Sequence, residues 1–277
     1  PGFHIRVDRC WIFAVPGVPA EMLAMVDEGV LPLLREEEGG GRVVVSRLLR
    51  SWGMAEAKVG EELQDLFDAS ENPSIAFLAS AGEIKIRITA LARSDEEARA
   101  LIAPVEAEVR RRIGDRIFGA DDDTIERVIR TELESRGWTI GTAESATGGL
   151  VGRRLTSLPG ASGTFRGSVV AYASDLKASI LGVPAETITQ HGVVSEETAQ
   201  AMVQGARSVL GVDVAVAVTG SAGPEPLEQP VGTMIVAVAT PHRATVNTLH
   251  LPGDREQVRS YAATAALHLV RRAILES

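Results

Sequence analysis

The sequence has almost no cysteine. Its 277 residues include a single one, Cys10, which excludes a disulfide within the chain and a cysteine-rich zinc site. This usage is typical of reducing compartments, so we predict a cytoplasmic location. Long apolar runs are also lacking, since the longest, at residues 234–239 and their flanks, is strand-length. A membrane helix needs about 20 apolar residues, and we therefore predict no membrane span.

The sequence also has no excess of positive charge and no motif with the residue spacing of a common cofactor site. The formal net charge of -9 argues against a nucleic-acid partner, because phosphate contacts require clustered Lys and Arg. The basic run at residues 110–112 is interpreted as the solvated C-terminal end of a helix. No Gly-x-Gly-x-x-Gly follows a strand, and no His, Cys or carboxylate cluster has metal-ligand spacing. We expect neither a cofactor nor a metal.

Aromatic residues make up only 4% of a chain that is 45% hydrophobic, which predicts cores of Val, Ile, Leu and Ala. The length exceeds that of one ordinary domain. We predict three segments, at residues 1–36, 37–119 and 120–277. Because the chain begins at Pro1 rather than Met, we expect it to be a piece of a longer protein.

The first two segments differ in what they can build. Residues 11–15 are predicted to form a strand and residues 20–34 a helix, and the acidic, glycine-rich residues 35–41 are predicted to be a flexible linker. The second segment has a β-α-β-β-α pattern: a strand at 42–49, a helix at 55–67, a hairpin at 75–79 and 83–91, and a helix at 95–113. It predicts a small α/β sandwich domain.

The third segment alternates strands and helices. It opens with a helix from 123 to 136 that Asp123 and Glu126 would cap. The later elements are predicted at 139–144, 150–157, 168–173, 176–181, 195–210, 212–219, 232–240, 245–251 and 255–275. This order predicts a three-layer α/β/α domain with a largely parallel sheet, closed by an antiparallel pair.

Three turns at predicted strand ends are candidates for a site, since ligands of α/β sheets bind there. The turn at 142–149 brings the hydroxyls of Ser145 and Thr147 and two glycines to a helix start. There, backbone N–H groups hold anions, or one of these two hydroxyls simply caps the helix. Lys177 follows a second strand and is either an exposed lysine or, if buried, a base. The small-residue loop at 219–224 either approaches a ligand or is only a tight turn.

The order of these blocks resembles the C-terminal domain of the CinA family. The blocks are ESATGG at 144–149, Tyr172 with Lys177, GVVSE at 192–196, TGSAGP at 219–224, PVGT at 230–233 and PGDR at 252–255. Residues 42–119 are similar to the family's KH-like middle domain, and residues 16–22 resemble the end of its N-terminal molybdopterin-binding-like domain. The ADP-ribose pyrophosphatase activity linked to that N-terminal domain is not predicted here, because only its end is represented.

The resemblance implies amide hydrolysis of nicotinamide mononucleotide to nicotinic acid mononucleotide and ammonia, a step of pyridine nucleotide salvage. Ser145 would be the nucleophile and Lys177, near Tyr172, the base, with Thr147 and Ser162 as rival hydroxyls. The oxyanion or phosphate would be held by backbone or side chains of Gly148, Gly149, Thr219, Gly220, Gly223, Arg255 or Arg259. The family also implies a homo-oligomer.

Departures from the family pattern favour a second hypothesis. Ala146 replaces the usual cysteine, and the loop at 225–229 lacks its glycines and has Gln229 where the family has lysine. The alternative is a catalytically weakened CinA-like protein that acts as a binding component associated with competence or DNA damage. RNA binding by the KH-like domain is a third hypothesis, which the missing Gly-x-x-Gly loop disfavours.

Overall fold

A computed structural model describes residues 2–37, 42–69, 71–80 and 82–277. The chain divides into two compact units. Unit 1 consists of Pro1–Arg47, Leu63–Ala76 and Arg87–Arg112, and unit 2 of Leu48–Glu62, Phe77–Ile86 and Ile113–Ser277. Within the described ranges, no helix is long and apolar enough to cross a membrane.

The first residues contain one strand more than the sequence predicted. Strand β1 (Phe3–Val7) pairs antiparallel with β2 (Cys10–Ala14), and β1 was not predicted. The predicted helix at 20–34 consists of α1 (Pro19–Met25), a π-helical segment (Val26–Val30) and α2 (Leu31–Glu37). The linker prediction is wrong for residues 35–37, which remain helical because Arg and Glu are good helix formers. The rest of the predicted linker, 38–41, lies outside the described residues.

The β-α-β-β-α pattern is present, with one additional strand. The elements are β3 (Val43–Trp52), α3 (Glu56–Ala69), β4 (Ser74–Ser80), β5 (Glu83–Ala92), α4 (Asp95–Ile113) and β6 (Ile117–Ala120). The strands lie in the order β4-β5-β3-β6. Ile84, Ile86 and Ile88 of β5 are buried, as the alternation predicted. The unpredicted strand β6 pairs antiparallel with β3.

The remaining elements form a five-stranded sheet between two layers of helices. They are α5 (Ile125–Arg136), β7 (Ile140–Glu144), α6 (Leu150–Leu155), β8 (Phe165–Val170), α7 (Ser174–Ser179), α8 (Ala185–His191), α9 (Glu196–Leu210), β9 (Val214–Gly220), β10 (Thr233–Ala239), β11 (Ala244–His250) and α10 (Arg255–Leu275). The strand order is β11-β10-β9-β7-β8. β7 is parallel to β8 and β9, whereas β10 is antiparallel to β9 and β11.

Each central strand contributes to two cores. Val214, Val216 and Val218 of β9 pack with α5, α6 and α10, while Ala215 and Ala217 face α9. β10 alternates in the same way. A strand that is buried on both faces has a continuous apolar sequence, which explains the sequences of β9 and β10. The predicted α/β/α fold class is confirmed.

Several boundaries differ from the prediction for local reasons. Helix α5 is capped by Thr124, whose hydroxyl accepts a hydrogen bond from Arg127 N–H, whereas Asp123 accepts one from Ala120 N–H. Strand β8 ends at Val170 rather than 173, because the carbonyls of the next two residues turn toward a lysine side chain. Helix α8 was not predicted.

The order in which strands are added to the sheet reverses at β7. The chain passes from β7 to β8 on one side and then to β9 on the other. The carboxyl ends of all three parallel strands therefore meet at a topological switch point, where α/β sheets bind ligands.

Candidate active site

Ser145 lies at the carboxyl end of β7, held between the two neighbouring strands. Its N–H donates to the Val218 carbonyl of β9 at 2.9 Å, and Ala171 N–H donates to the Glu144 carbonyl at 2.9 Å. The backbone around Ser145 is thus fixed at the switch point.

Glu144 occupies the start of helix α6 with its own carboxylate. The side chain has 0% exposure and accepts hydrogen bonds from the N–H groups of Gly149, Val151 and Gly152 at 2.9, 3.1 and 2.8 Å. The hydroxyls of Thr142 and Ser168 lie at 3.1 and 3.3 Å from the same carboxylate. An internal anion therefore satisfies the helix N-terminus.

This arrangement corrects the expected role of the two glycines. Gly149 N–H donates to Glu144, and Gly148 N–H donates to the Ser145 carbonyl at 3.0 Å. Neither N–H is therefore available for an oxyanion or a phosphate. The φ angles of Gly148 and Gly149, 60° and 97°, lie in the left-handed region that glycine adopts without strain, so the pair makes the turn after Ser145 possible.

Lys177 is buried beside Ser145. The lysine is 2% exposed, and its Nζ lies 3.0 Å from Ser145 Oγ. Nζ also lies 3.0 Å from the Ala171 carbonyl and 3.5 Å from the Tyr172 carbonyl. A neutral amine has two N–H donors and one lone pair, which match two carbonyls and one hydroxyl. The geometry therefore suits a lysine that accepts the serine proton.

The electrostatics of Lys177 act in the same direction. Burial lowers the pKa of its amine, because desolvation penalises the ammonium form, and the negative charge of Glu228 opposes this by raising it. A lysine with a lowered pKa is neutral at lower pH and can act as a base.

Tyr172 and Arg255 form the outer part of the site. The Tyr172 side chain is 58% exposed, and its hydroxyl accepts a hydrogen bond from Arg255 Nη2 at 2.8 Å. Arg255 Nη1 also donates to the Gly223 carbonyl. Tyr172 contacts the Lys177 amine through its backbone carbonyl and not through its hydroxyl. The remaining N–H donors of the guanidinium have no acceptor among the residues that the structure describes.

The loop after β9 completes the wall of a cavity of about 340 Å³. Thr219 is buried, and its hydroxyl donates to the Val193 carbonyl at 2.7 Å. Gly220 and Gly223 line the same cavity. The full lining is Ser145, Ala146, Tyr172, Ala173, Ser174, Lys177, Val193, Val194, Thr219, Gly220, Ala222, Gly223, Glu225, Leu227 and Arg255.

Three backbone N–H groups on this wall are candidate oxyanion donors. Those of Ala146, Ala222 and Gly223 have no acceptor among the described residues. Ala146 directly follows the serine. The sequence analysis named Ala146 only for the cysteine that it replaces and Ala222 only within the loop at 219–224, because whether a backbone N–H is free depends on the folded hydrogen-bond pattern.

Three other predicted residues do not line the cavity. The Thr147 hydroxyl is fully buried and has no hydrogen-bond partner in the part of the chain that the structure describes. Ser162 is exposed in a short 3-10 helix, Ala161–Gly163. Arg259 donates to the Ala146 and Thr147 carbonyls, both at 3.1 Å. Arg259 was expected to bind the substrate phosphate. Its guanidinium instead holds the turn that carries Ser145.

Sequence reasoning missed two carboxylates. Glu144 was seen only as part of a block, although a carboxylate at a strand end before a helix start is a recognisable signal. Glu228 lies in the altered loop and accepts the Val194 N–H at 3.0 Å. This bond ties the loop to the cavity wall. No group of three or more His, Cys, Asp or Glu that could hold a metal occurs in the described part of the chain.

Comparison with known proteins covers both parts of the chain. The family model of the CinA C-terminal domain matches residues 122–274, and that of the damage-inducible protein CinA KH domain matches residues 46–119. A CinA-like protein of Frankia casuarinae is 46% identical, covering 98% of this chain and 64% of the relative. One from Geobacter metallireducens is 37% identical, covering 99% and 67%. The chain spans about two thirds of the length of these curated relatives.

Solved structures are similar over slightly more than half of the chain. A CinA superfamily protein of Klebsiella pneumoniae has a TM-score of 0.54 and 29% identity, covering 56% of this chain and 100% of that chain. A competence/damage-inducible protein of Agrobacterium tumefaciens has a TM-score of 0.52 and 34% identity, covering 55% and 93%.

Proposed function

The chain belongs to the CinA family, and on this premise we propose that it hydrolyses the carboxamide of nicotinamide mononucleotide to nicotinic acid mononucleotide and ammonia. The observation that carries the proposal is the 3.0 Å contact between Lys177 Nζ and Ser145 Oγ on the wall of a cavity. A hydroxyl beside a buried amine is the arrangement of a Ser/Lys hydrolase.

Lys177 moves the protons of the reaction. In its neutral form it accepts the Ser145 proton while Oγ attacks the carboxamide carbon. The resulting ammonium returns this proton to the leaving nitrogen, ammonia departs, and an ester remains on Ser145. Water then attacks the ester as Lys177 accepts its proton, and the carboxylate product leaves as Oγ is reprotonated.

Backbone N–H groups are placed to stabilise the charge that develops. The tetrahedral oxyanion needs donors that are not used elsewhere, and Ala146, Ala222 and Gly223 supply three such groups on the cavity wall. The proposed roles are supported by the position of Ala146 directly after Ser145, by the presence of Ala222 and Gly223 in the lining of the same cavity, and by their unused N–H groups.

Arg255 is the partner that we propose for the substrate phosphate. Two of its N–H groups are held by Tyr172 and Gly223, which fixes the guanidinium at the cavity wall and leaves other donors for an anion. The cavity volume of about 340 Å³ lies within the range of small-molecule sites, roughly 300–1,000 Å³.

Ammonia release from nicotinamide mononucleotide tests the proposal. The parent chain is expected to release ammonia, and Ser145→Ala and Lys177→Ala are expected to lose the activity by about 10³-fold or more. Ser162→Ala is the matched control, since this rival hydroxyl is exposed and outside the cavity, and it should retain activity. Undiminished release by Ser145→Ala would exclude the proposed nucleophile.

The altered loop favours the second candidate, a weakened enzyme that serves as a binding component. Glu228 raises the pKa of Lys177 against the effect of burial, and this disfavours the neutral amine. Binding of nicotinamide mononucleotide without ammonia release at any pH would support this alternative.

A further inference from the structure

A second cavity lies within unit 2, away from the candidate active site. Its volume is about 560 Å³, and none of its lining residues lines the first cavity. We name it the arginine pocket. The lining consists of Trp52, Gly114, Asp115, Arg116, His268, Arg271, Arg272, Leu275 and Glu276.

The three guanidinium groups in the arginine pocket differ in whether they form an ion pair. Arg272 Nε donates to Glu276 at 2.8 Å, so its charge is balanced. Arg116 and Arg271 have no ion pair among the described residues. Two like charges facing one cavity repel each other unless an anion lies between them.

Arg271 is held in a partly desolvated position. Its Nη2 donates only a long hydrogen bond, 3.4 Å, to the Ile117 carbonyl, and its Nε is shielded from solvent without an acceptor. Burial lowers the pKa of the guanidinium, and Glu132 acts in the opposite direction. An anionic acceptor would relieve both the missing hydrogen bond and the desolvation.

The shielded Nε atom does not by itself indicate a ligand. Arg130 and Arg207 also have a shielded Nε without an acceptor, but neither lines the arginine pocket. Arg271 differs because its unsatisfied guanidinium shares a cavity with a second unpaired arginine.

An aromatic wall stands beside these charges. The rings of Trp52 and His268 are stacked at 4.7 Å with an interplanar angle of 10°, and His268 Nε2 lies 2.9 Å from a Glu83 carboxylate oxygen. The indole is thereby fixed on one face. Nη1 of Arg116 lies 3.3 Å from the place where a Cβ at Gly53 would stand, which puts the guanidinium next to the residue that follows Trp52.

We propose that the arginine pocket binds a small phosphorylated ligand, with its phosphate between Arg116 and Arg271 and a planar group against Trp52. Guanidinium forks match phosphate oxygens in geometry and charge. Asp115 and Glu276 on the same wall limit the positive surface to a small area, which suits a compact anion rather than a nucleic-acid backbone.

The test is a calorimetric titration with inorganic phosphate against a chloride reference at constant ionic strength. All titrations use the Arg255→Gln background, which removes the phosphate partner that we propose in the first cavity. Arg116→Gln and Arg271→Gln are each expected to weaken phosphate binding by about tenfold or more. Arg127→Gln is the matched control, because this arginine of the same unit is exposed and outside the pocket.

Two results would overturn the proposal: no phosphate binding by the Arg255→Gln chain, or unchanged affinity in both pocket variants. Circular dichroism shows whether each variant is folded. Because the Arg116 side chain is exposed, Arg116→Gln is expected to fold and can test the proposal even if Arg271→Gln does not. For the planar group, uridine 5′-monophosphate is expected to bind more tightly than ribose 5-phosphate, and equal affinities would refute that part.

Discussion

Gly149 donates its backbone N–H to the Glu144 carboxylate at 2.9 Å, and this side chain has no exposed surface. Glu144, the residue before the proposed nucleophile, therefore accepts hydrogen bonds from the backbone at the start of helix α6, which follows that nucleophile. The turn that carries Ser145 is fixed from within, which makes Glu144 a positioning residue rather than a group that meets the substrate.

Glu144→Gln is expected to destabilise the fold and slow the reaction together. An amide has one acceptor oxygen and brings an NH₂ group toward backbone N–H donors, so buried hydrogen bonds are lost at a cost of about 1–3 kcal/mol. Urea unfolding gives the stability, and kcat below the unfolding transition gives the effect on the turn. Glu186→Gln, at an exposed position outside the cavity, is the control. Unchanged stability would show that the carboxylate is not needed there.

The pH dependence of hydrolysis should report Lys177. The neutral amine is the active form, so kcat/KM is expected to rise with pH and level off above the Lys177 pKa. Because burial lowers this pKa, the inflection should lie below the ordinary lysine value of about 10.4. Glu228→Gln removes a charge that raises the pKa, and the inflection should move to still lower pH. A profile that Glu228→Gln leaves in place would contradict the coupling.

Lys177→Met is expected to be inactive but more stable than the parent chain. It removes a buried amine whose charged form is desolvated, and we expect this gain to exceed the loss of the hydrogen bonds to the Ala171 and Tyr172 carbonyls by about 0.5–2 kcal/mol. The folded pKa is below the unfolded one, so the parent gains stability as pH rises through the interval between them. The difference between the two proteins should therefore shrink toward pH values above the unfolded lysine pKa. Denaturant unfolding at several pH values measures it, and a difference independent of pH would argue that the lysine is not desolvated.

Arg255 and Arg259 should affect different kinetic constants. Arg255→Gln removes a proposed phosphate contact and is expected to raise KM by about 10- to 100-fold. Arg259→Gln releases the Ala146 and Thr147 carbonyls, so it should lower kcat with a smaller effect on KM. Arg259→Lys, which retains the charge but not the fork, should restore only part of kcat. Steady-state kinetics of the three variants would decide, and equal effects of both glutamine variants on KM would contradict the distinction.

Much of the C-terminal domain follows from local sequence. Helix α10 was predicted with the bounds that the structure shows, 255–275, because its cap and its apolar pattern are local signals. The end of β8 was missed, since it depends on Lys177 drawing the Ala171 and Tyr172 carbonyls away from the strand ladder. That contact involves a side chain several residues later in the chain.

The chemistry of the site was harder to predict than its location. Blocks at strand ends indicated where the site lies. The family resemblance favoured Ser145 as the nucleophile, but it left Thr147 and Ser162 as rival hydroxyls. Only the fold separates them, because it places the first beside Lys177 and leaves the third exposed. The use of the Gly149 N–H by Glu144 likewise required three dimensions.

The small side chains on one face of the sheet have a consequence for the size of the first cavity. Ala215 and Ala217 let α9 lie close to β9, and Val194, just before that helix, belongs to the same core and also to the cavity wall. A methyl group added under α9 would press on the helix and, through it, on Val194. Under the proposed function, the fit of the substrate would therefore depend on two alanines that do not line the cavity, and a larger cavity would require a wider spacing between α9 and β9.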